Sequence, residues 1–229
     1  MREHHYLRGY LCASGGAVLW GLSGTAGQYL LHHYQVDSFW ISSVRLLTAG
    51  LLLMLLATPY YKKMIEMMKS RRNALLLFCY AVFGLLMSQT AFYATIEHAN
   101  AATAAVLQTL SVVMMALFVC LRSWRVPTRA ETISILLALA GVFLIVTNGN
   151  LSAMILSPKA LSWGLLAALA NVCYSFIAQD LVWHWGSITV NALGMLVGGL
   201  IFCLLLQPWN IPVNLDFTGW ANPYSPLSS

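Results

Sequence analysis

Two long apolar segments separated by only four residues are the feature that most restricts how this chain can fold. One segment covers residues 74–96, the other covers residues 101–121, and residues 97–100 form a short polar break between them. Each segment is long enough to cross about 30 Å of hydrocarbon as a helix, which takes roughly 20 apolar residues. Because the break is so short, the two helices are predicted to run antiparallel as a tight hairpin.

Five further apolar segments and a low charge content extend this prediction to the whole chain. Only 8% of the residues are charged, against about 25% in soluble domains, and so few charges cannot build a water-facing surface. The sequence therefore predicts an all-α polytopic membrane protein with about seven transmembrane helices. The additional spans are predicted at residues 9–31, 38–58, 130–147, 161–183 and 188–206.

Basic residues are concentrated in alternate connections, which predicts the orientation of the chain. The N-terminal segment holds two, residues 59–72 hold five and residues 122–129 hold three, whereas the other connections contain only Lys159. Since basic connections remain cytoplasmic, the N-terminus is predicted to be cytoplasmic. The net charge of +5 is thus explained by topology and predicts no nucleic-acid partner. The connections predicted to lie outside are residues 32–37, 97–100 and 148–160.

Two of the basic connections carry further local signals. Residues 59–72 place methionines between their basic residues, which allows either a basic loop, the simpler interpretation, or a short amphipathic helix on the membrane surface. In the next basic connection Thr128 precedes Glu131 by three residues. This T-x-x-E pattern predicts a capping box at the start of the following helix.

Spans one and two resemble spans six and seven. The run GAVLWGLS at residues 16–23 parallels ALANVCYS at residues 168–175, and each is followed one span later by a central glycine, at Gly50 and Gly198. Five spans separate the starts of the two copies, and an odd number makes the copies enter the membrane from opposite faces. Inverted repeats of this kind are typical of secondary transporters, which bind substrate near mid-membrane between the copies.

Four longer stretches, together with Trp20-Gly21 and Arg45, carry a resemblance to a known transporter family. In their order and spacing they resemble the EamA-type branch of the drug/metabolite transporter superfamily. The stretches are QTAFYATI at 89–96, ANAATAAVLQTL at 99–110, TRAETISILLALAGVFLI at 128–145 and WGLLAALANVCYS at 163–175.

The resemblance implies ten helices in two inverted five-helix repeats, and a secondary carrier of the inner membrane that moves small metabolites or drugs, often outward. On that pattern residues 1–150 form the first repeat, residues 151–207 begin the second and residues 208–229 form an irregular tail. Val112 stands where the family usually has proline. Because only seven spans are predicted, we expect a C-terminally truncated carrier. The alternative is a non-transporting remnant or a membrane assembly partner.

Polar and aromatic residues within the spans are the candidates for substrate binding, because lipid-facing positions rarely hold such residues. Among these residues Arg45 has the largest free-energy cost of insertion into a membrane. It indicates either a site for an anion or carboxylate, or an arginine that only fixes helix packing. For every candidate the alternative is a hydrogen bond between helices. The full set is Trp20, Ser23, Arg45, Gln89, Tyr93, Gln108, Asn171, Tyr174 and Gln179.

Patterns for catalysis, metal binding and nucleotide binding are missing from the sequence. The run GLSG at residues 21–24 matches intramembrane serine proteases, but no histidine lies deep in another span to accept the serine proton. His32 and His33 are adjacent, yet a third metal ligand is not evident. A G-x-x-x-x-G-K-[ST] loop for ATP is also absent. The sequence thus predicts no enzyme, cofactor or metal, and its expected partners are a small-molecule substrate and the lipid bilayer, with a homodimer left open.

Overall fold

The computed structural model describes residues 2–34, 36–147 and 156–207. Within these ranges the chain folds into eight helices joined by short connections, one of which contains a 3₁₀ turn at Thr58–Tyr60, and no strand occurs there. The helices are α1 (Arg2–His33), α2 (Ser38–Leu56), α3 (Tyr61–Lys69), α4 (Arg71–His98), α5 (Ala101–Arg122), α6 (Arg129–Thr147), α7 (Pro158–Trp185) and α8 (Ser187–Leu206).

Five of these helices are long and apolar enough to cross a membrane, namely α2, α4, α5, α7 and α8. They coincide with five of the seven spans predicted from the sequence, and the all-α polytopic membrane fold is confirmed. α1 and α6 form helices at the other two predicted positions. That α1 and α6 also cross the membrane stays a prediction, as does the arrangement of residues 148–155 and 208–229, which lie outside the described residues.

The predicted hairpin of α4 and α5 is fixed at its turn by two side-chain acceptors. Asn100 is the N-cap of α5, and its side-chain oxygen accepts a hydrogen bond from the backbone N–H of Thr103 at 2.8 Å. The neighbouring N–H of Ala101 donates to the side-chain oxygen of Gln28 on α1, also at 2.8 Å. Because the first N–H groups of a helix have no partner within the helix, these bonds tie α1 to the turn.

The predicted capping box at the start of α6 is confirmed. The backbone N–H of Thr128 donates to the Glu131 carboxylate at 2.7 Å, and the N–H of Glu131 donates to the Thr128 hydroxyl at 3.3 Å. The same carboxylate accepts two hydrogen bonds from the Arg125 guanidinium, at 2.7 and 2.8 Å. These bonds raise the pKa of Arg125 above its ordinary value, so the connection before α6 is held by a paired charge.

The interpretation of residues 59–72 as a loop is wrong, because α3 forms within them. Met64 and Met67 are both buried, and Met67 belongs to the same core cluster as Leu77 and Leu181 of the spans. Two apolar side chains three residues apart lie on one face of a helix. A helix therefore buries both methionines against the bundle.

α2 and α8 pack closely along each other through reciprocal glycine contacts. A methyl group added at Gly50 would lie 2.7 Å from the backbone nitrogen of Leu196, and one added at Gly199 would lie 2.7 Å from that of Leu47. Going from Leu47 to Gly50 along α2, the facing residue in α8 moves back from Gly199 to Leu196. The two helices therefore run antiparallel. Small residues allow this close approach of two backbones in a membrane.

α4 runs through the middle of the bundle and contacts α2, α5, α7 and α8. Its most apolar window is half buried, the largest share among the five helices that can span a membrane. Within it, Tyr80–Leu86 forms a π-helical segment, a wider turn that often lies at functional sites. Gly84 in this segment packs against Tyr174 of α7. α4 thus carries Gln89 and Tyr93 and contacts Tyr174.

Candidate functional site

Arg45 on α2 and Tyr93 on α4 form the strongest polar contact between the predicted site residues. Nη1 of Arg45 donates a hydrogen bond to the phenolic oxygen of Tyr93 at 2.7 Å. The guanidinium carbon lies 5.6 Å from the centroid of the same ring, which is within the range of a cation–π interaction. Tyr93 is only 1% exposed, whereas Arg45 is half-buried. A rigid neutral phenol thus orients a cation that keeps some exposed surface.

No carboxylate among the described residues forms an ion pair with Arg45. The ion pair found in the described part of the chain joins Arg125 to Glu131. A cation inside a span costs about 3 kcal/mol on insertion scales, and such residues usually pair with an opposite charge or contact water. Arg45 therefore retains a positive charge that can attract an anion. The other carboxylates whose side chains are described lie on α3 or near helix ends, at Asp37, Glu66, Glu97 and Asp180.

α1 supplies an aromatic side chain and a close backbone contact beside this pair. The ring of Trp20 lies 5.1 Å from that of Phe92, and Phe92 meets Tyr93 edge-to-face at 5.7 Å. Gly27 lies directly against the Tyr93 ring, so a methyl group added there would overlap it. The structure thus brings Trp20, Tyr93 and Arg45 into one continuous set of contacts.

Two further candidates lie on the same helices as this pair. Ser23 is half-buried on α1, one turn after Trp20, and Gln89 is half-buried on α4, one turn before Tyr93. Gln89 and Tyr93 are four residues apart and therefore share a helix face. Among the described residues no hydrogen bond joins either side chain to Arg45, so their place beside this pair stays a prediction.

A second polar cluster joins α4, α7 and α8. The hydroxyl of Ser88 donates to the side-chain oxygen of Asn171 at 3.4 Å, a long hydrogen bond. The ring of Tyr174 stacks on that of Tyr80 at 5.3 Å. The Tyr80 hydroxyl in turn donates to the side-chain oxygen of Asn191 at 2.7 Å. Asn171 and Tyr174 are therefore brought together, but around α4 rather than beside Arg45.

Sequence reasoning missed Tyr80 and Asn191 as members of this second cluster. Asn191 is an amide within the apolar span 188–206, which is the same signal that identified Asn171. Tyr80 is fully buried and bonded to Asn191. Its position in span three was visible in the sequence, but its contact across the bundle was not.

The remaining two candidates, Gln108 and Gln179, lie in different surroundings. The side-chain oxygen of Gln108 on α5 is buried and has no hydrogen-bond partner in the described part of the chain. A buried acceptor without a donor costs about 1–3 kcal/mol, so Gln108 is available to accept a hydrogen bond. Gln179, by contrast, is exposed on α7.

The two adjacent histidines stand apart from any metal-binding arrangement in the described residues. His33 stacks on Tyr29 at 5.0 Å and meets Tyr34 edge-to-face. Within those residues no group of three or more His, Cys, Asp and Glu side chains is placed to hold a metal ion.

Comparison with known proteins identifies one family and one relative. The model of the EamA-like transporter family matches residues 7–147, a range that contains Trp20, Arg45 and Tyr93. An uncharacterized inner membrane transporter of Salmonella typhimurium, YicL, is 38% identical over 195 residues. The match covers 85% of this chain and 65% of that relative, so the chain spans less than two thirds of the relative's length. No solved structure matches the chain.

Proposed function

Because the chain belongs to the EamA-like transporter family, we propose that it is a secondary transporter of the inner membrane that exports a small metabolite or drug. It is a multi-pass membrane protein of a family of transporters rather than enzymes. We place its N-terminus in the cytoplasm, on the distribution of Lys and Arg. Residues 1–150 form the first repeat in this proposal, and residues 151–207 begin the inverted second repeat.

The pair of Arg45 and Tyr93 is the observation that carries this proposal. The guanidinium has a neutral partner at 2.7 Å, and the described part of the chain offers it no ion pair. A substrate with a carboxylate or similar anionic group would supply the missing charge. Trp20 and Phe92, 5.1 Å apart, would contact an apolar part of the same molecule. The other proposed contacts are Ser23, Gln89, Gln108, Asn171, Tyr174 and Gln179.

Alternating access requires the two repeat copies to tilt against each other around the substrate. The crossing of α2 with α8 is suited to this, because Gly50 and Gly199 place backbone against backbone. At both points the nearest atoms of the opposite helix belong to its backbone. The antiparallel, reciprocal geometry of the crossing also supports the inverted repeat.

The test combines flux and ligand-induced stabilisation in the purified full chain. Small carboxylates are compared with their uncharged amides, first by the shift in thermal unfolding midpoint and then by flux into proteoliposomes. We expect the carboxylates to raise the thermal unfolding midpoint of the protein and the amides to leave it unchanged. Arg45→Gln should abolish that shift and Arg45→Lys should retain part of it. Arg122→Gln is the matched control, because Arg122 is exposed at the end of α5.

Two outcomes reject different parts of the proposal. Flux and stabilisation with no preference for charged ligands would reject the anionic substrate and leave the transporter. Failure of every tested solute to move across the membrane, in protein that is folded by circular dichroism, would favour the non-transporting alternative.

One observation supports the homodimer that the sequence analysis left open. Residues 9–22 of α1 are exposed along the whole segment, and large apolar side chains such as Tyr10 and Leu19 have 78% and 69% of their surface uncovered. A second copy of the chain in the bilayer would cover this segment. Light scattering and crosslinking in nanodiscs would distinguish a homodimer from a monomer.

A further inference from the structure

Helix α3 presents three different surfaces around its axis. Met64 and Met67 are buried against the bundle. Tyr61, Ile65 and Met68 share a second face, at spacings of four and three residues, and each has about half of its surface exposed. The third surface is charged. A short helix with an exposed apolar face beside a cationic one is suited to the boundary between hydrocarbon and lipid headgroups.

A groove of about 520 Å³ runs between α3 and the spans. Its walls include Met54 of α2 and Leu193 of α8, and its α3 side includes Ile65 and Met68. Lys69 is the charged residue in this lining. Because Met54 and Leu193 belong to helices that can cross the membrane, we expect the groove to border hydrocarbon. Its lining is apolar apart from Lys69 and the phenol of Tyr61.

The charged surface beside the groove is strongly basic. Residues 59–72, which include α3 and the first two residues of α4, hold five basic residues and one acidic residue, Glu66. All five basic side chains are exposed, and the Lys63 ammonium lies 5.9 Å from the Tyr60 ring. Clusters of exposed lysine and arginine next to a span attract the anionic phosphates of lipid headgroups. The five are Lys62, Lys63, Lys69, Arg71 and Arg72.

We propose that α3 and this groove form a binding site for an anionic phospholipid, with an acyl chain in the groove and the headgroup phosphate at Lys62 and Lys69. The charge complementarity selects an anionic headgroup over a zwitterionic one. The apolar walls select a lipid over a free anion, since a dissolved phosphate would leave Ile65 and Met68 exposed to water. This site is independent of the proposed transport site around Arg45.

The experiment uses the full chain in mixed micelles, with phosphatidylglycerol as the probe and phosphatidylcholine of the same acyl chains as the comparison. Native mass spectrometry counts the lipids retained, and the thermal unfolding midpoint reports stabilisation. Lys62→Gln and Lys69→Gln should each weaken phosphatidylglycerol binding about fivefold, because each lysine close to a membrane surface contributes about that factor. Lys159→Gln is the matched control, an exposed lysine at the start of α7.

Selective retention of phosphatidylglycerol that is lost when Lys62→Gln and Lys69→Gln are combined, and kept in Lys159→Gln, supports the site. Equal retention of the two lipids by the unaltered chain overturns it without reliance on any variant. An equal loss in Lys159→Gln overturns it as well, because the effect would then reflect net charge alone. If inorganic phosphate displaced bound phosphatidylglycerol as effectively as added phosphatidylglycerol does, the site would be an ion site. That result would overturn the lipid assignment.

Discussion

At the scale of single residues, Gly27 controls the position of Tyr93. Gly27→Ala would place a methyl group within the Tyr93 ring, which is 1% exposed and has little room to move. We expect this overpacking to lower the free energy of unfolding by about 1–3 kcal/mol and to weaken ligand binding at Arg45. Thermal and denaturant unfolding measure the first effect, and ligand-induced stabilisation measures the second.

Gly21→Ala is the control for that prediction, since it lies on the same helix and has no neighbouring atom within 4 Å of an added methyl group. Alanine also has a higher helix propensity than glycine, by about 1 kcal/mol. The control should therefore be neutral or slightly stabilising. Equal unfolding midpoints for the two variants would contradict the role given to Gly27.

The second prediction at this scale concerns the hydroxyl of Tyr93. Tyr93→Phe keeps the ring and its packing but removes the acceptor of the 2.7 Å bond from Arg45. Hydrogen bonds to charged groups contribute about 1.5–3 kcal/mol, so we expect a loss of stability near the lower value for this half-buried arginine. In a double-mutant cycle with Arg45→Gln the effects should be non-additive. Additive losses of stability would show that the two side chains act separately. The control is Tyr29→Phe, at an exposed position.

The sequence identified the members of this pair but not the pairing. Arg45 stands out because a cation interrupts an apolar run, and Tyr93 because it is a polar aromatic residue in another run. The contact between them joins residues 48 positions apart and depends on how α2 packs against α4. Local signals such as the Thr128 capping box were predicted correctly because all of their partners lie within one helical turn.

At the scale of elements, the crossing of α2 and α8 depends on its two glycines. Gly50→Ala and Gly199→Ala each place a methyl group 2.7 Å from a backbone nitrogen of the opposite helix, and a backbone cannot rotate away as a side chain can. Each substitution should cost about 1–3 kcal/mol. Because both act on one crossing, the double variant should lose less than the sum of the two single losses.

Gly141→Ala on α6 is the matched control for the crossing, because no atom lies within 4 Å of a methyl group added there. Unfolding in a mixed-micelle titration with a denaturing detergent provides the measurement. A control that loses as much stability as the glycine variants would show that the effect belongs to glycine replacement in general and not to the crossing.

The elements themselves were predicted well where an apolar run was long and poorly where it was short. Twenty apolar residues in a row can satisfy their backbone in a membrane only as a helix, so α4 and α5 followed directly from composition. Residues 61–69 form a short segment of mixed charge, and their local pattern allows a loop, which was the simpler interpretation, or an amphipathic helix. The burial of Met67 in the bundle favours the helix, and that burial depends on residues far away in the sequence.

At the scale of the whole molecule, the two proposed repeat copies differ in the connection between their two helices. α1 ends at His33 and α2 begins at Ser38, whereas α7 ends at Trp185 and α8 begins at Ser187. The second connection is a single residue, Gly186, with a φ of +85° that only glycine adopts readily. The copies thus differ in the length of this connection. The glycine of α8 at the crossing is Gly199, next to the Gly198 that the sequence comparison matched with Gly50, and Gly198 itself faces the backbone oxygen of Ala81.

The orientation of the molecule and the number of its spans can be tested together by cysteine labelling. In a cysteine-free background, a single cysteine replaces Arg8, Lys63, Glu97 or Lys159 in turn, and a membrane-impermeant maleimide is applied to intact cells. We expect labelling of Glu97→Cys and Lys159→Cys in intact cells, and of Arg8→Cys and Lys63→Cys only after permeabilisation. The physical reason is the excess of Lys and Arg on alternate connections.

Each pair of positions in that experiment isolates one helix or one helical hairpin. Glu97 and Lys159 lie on either side of α5 and α6, so they can label from the same side only if α6 crosses the membrane back after α5. Arg8 and Lys63 enclose α1 and α2 and test α1 in the same way. Labelling of Glu97 and Lys159 from opposite sides would mean that α6 does not span. The reversal of all four positions would keep the spans and reject the proposed orientation.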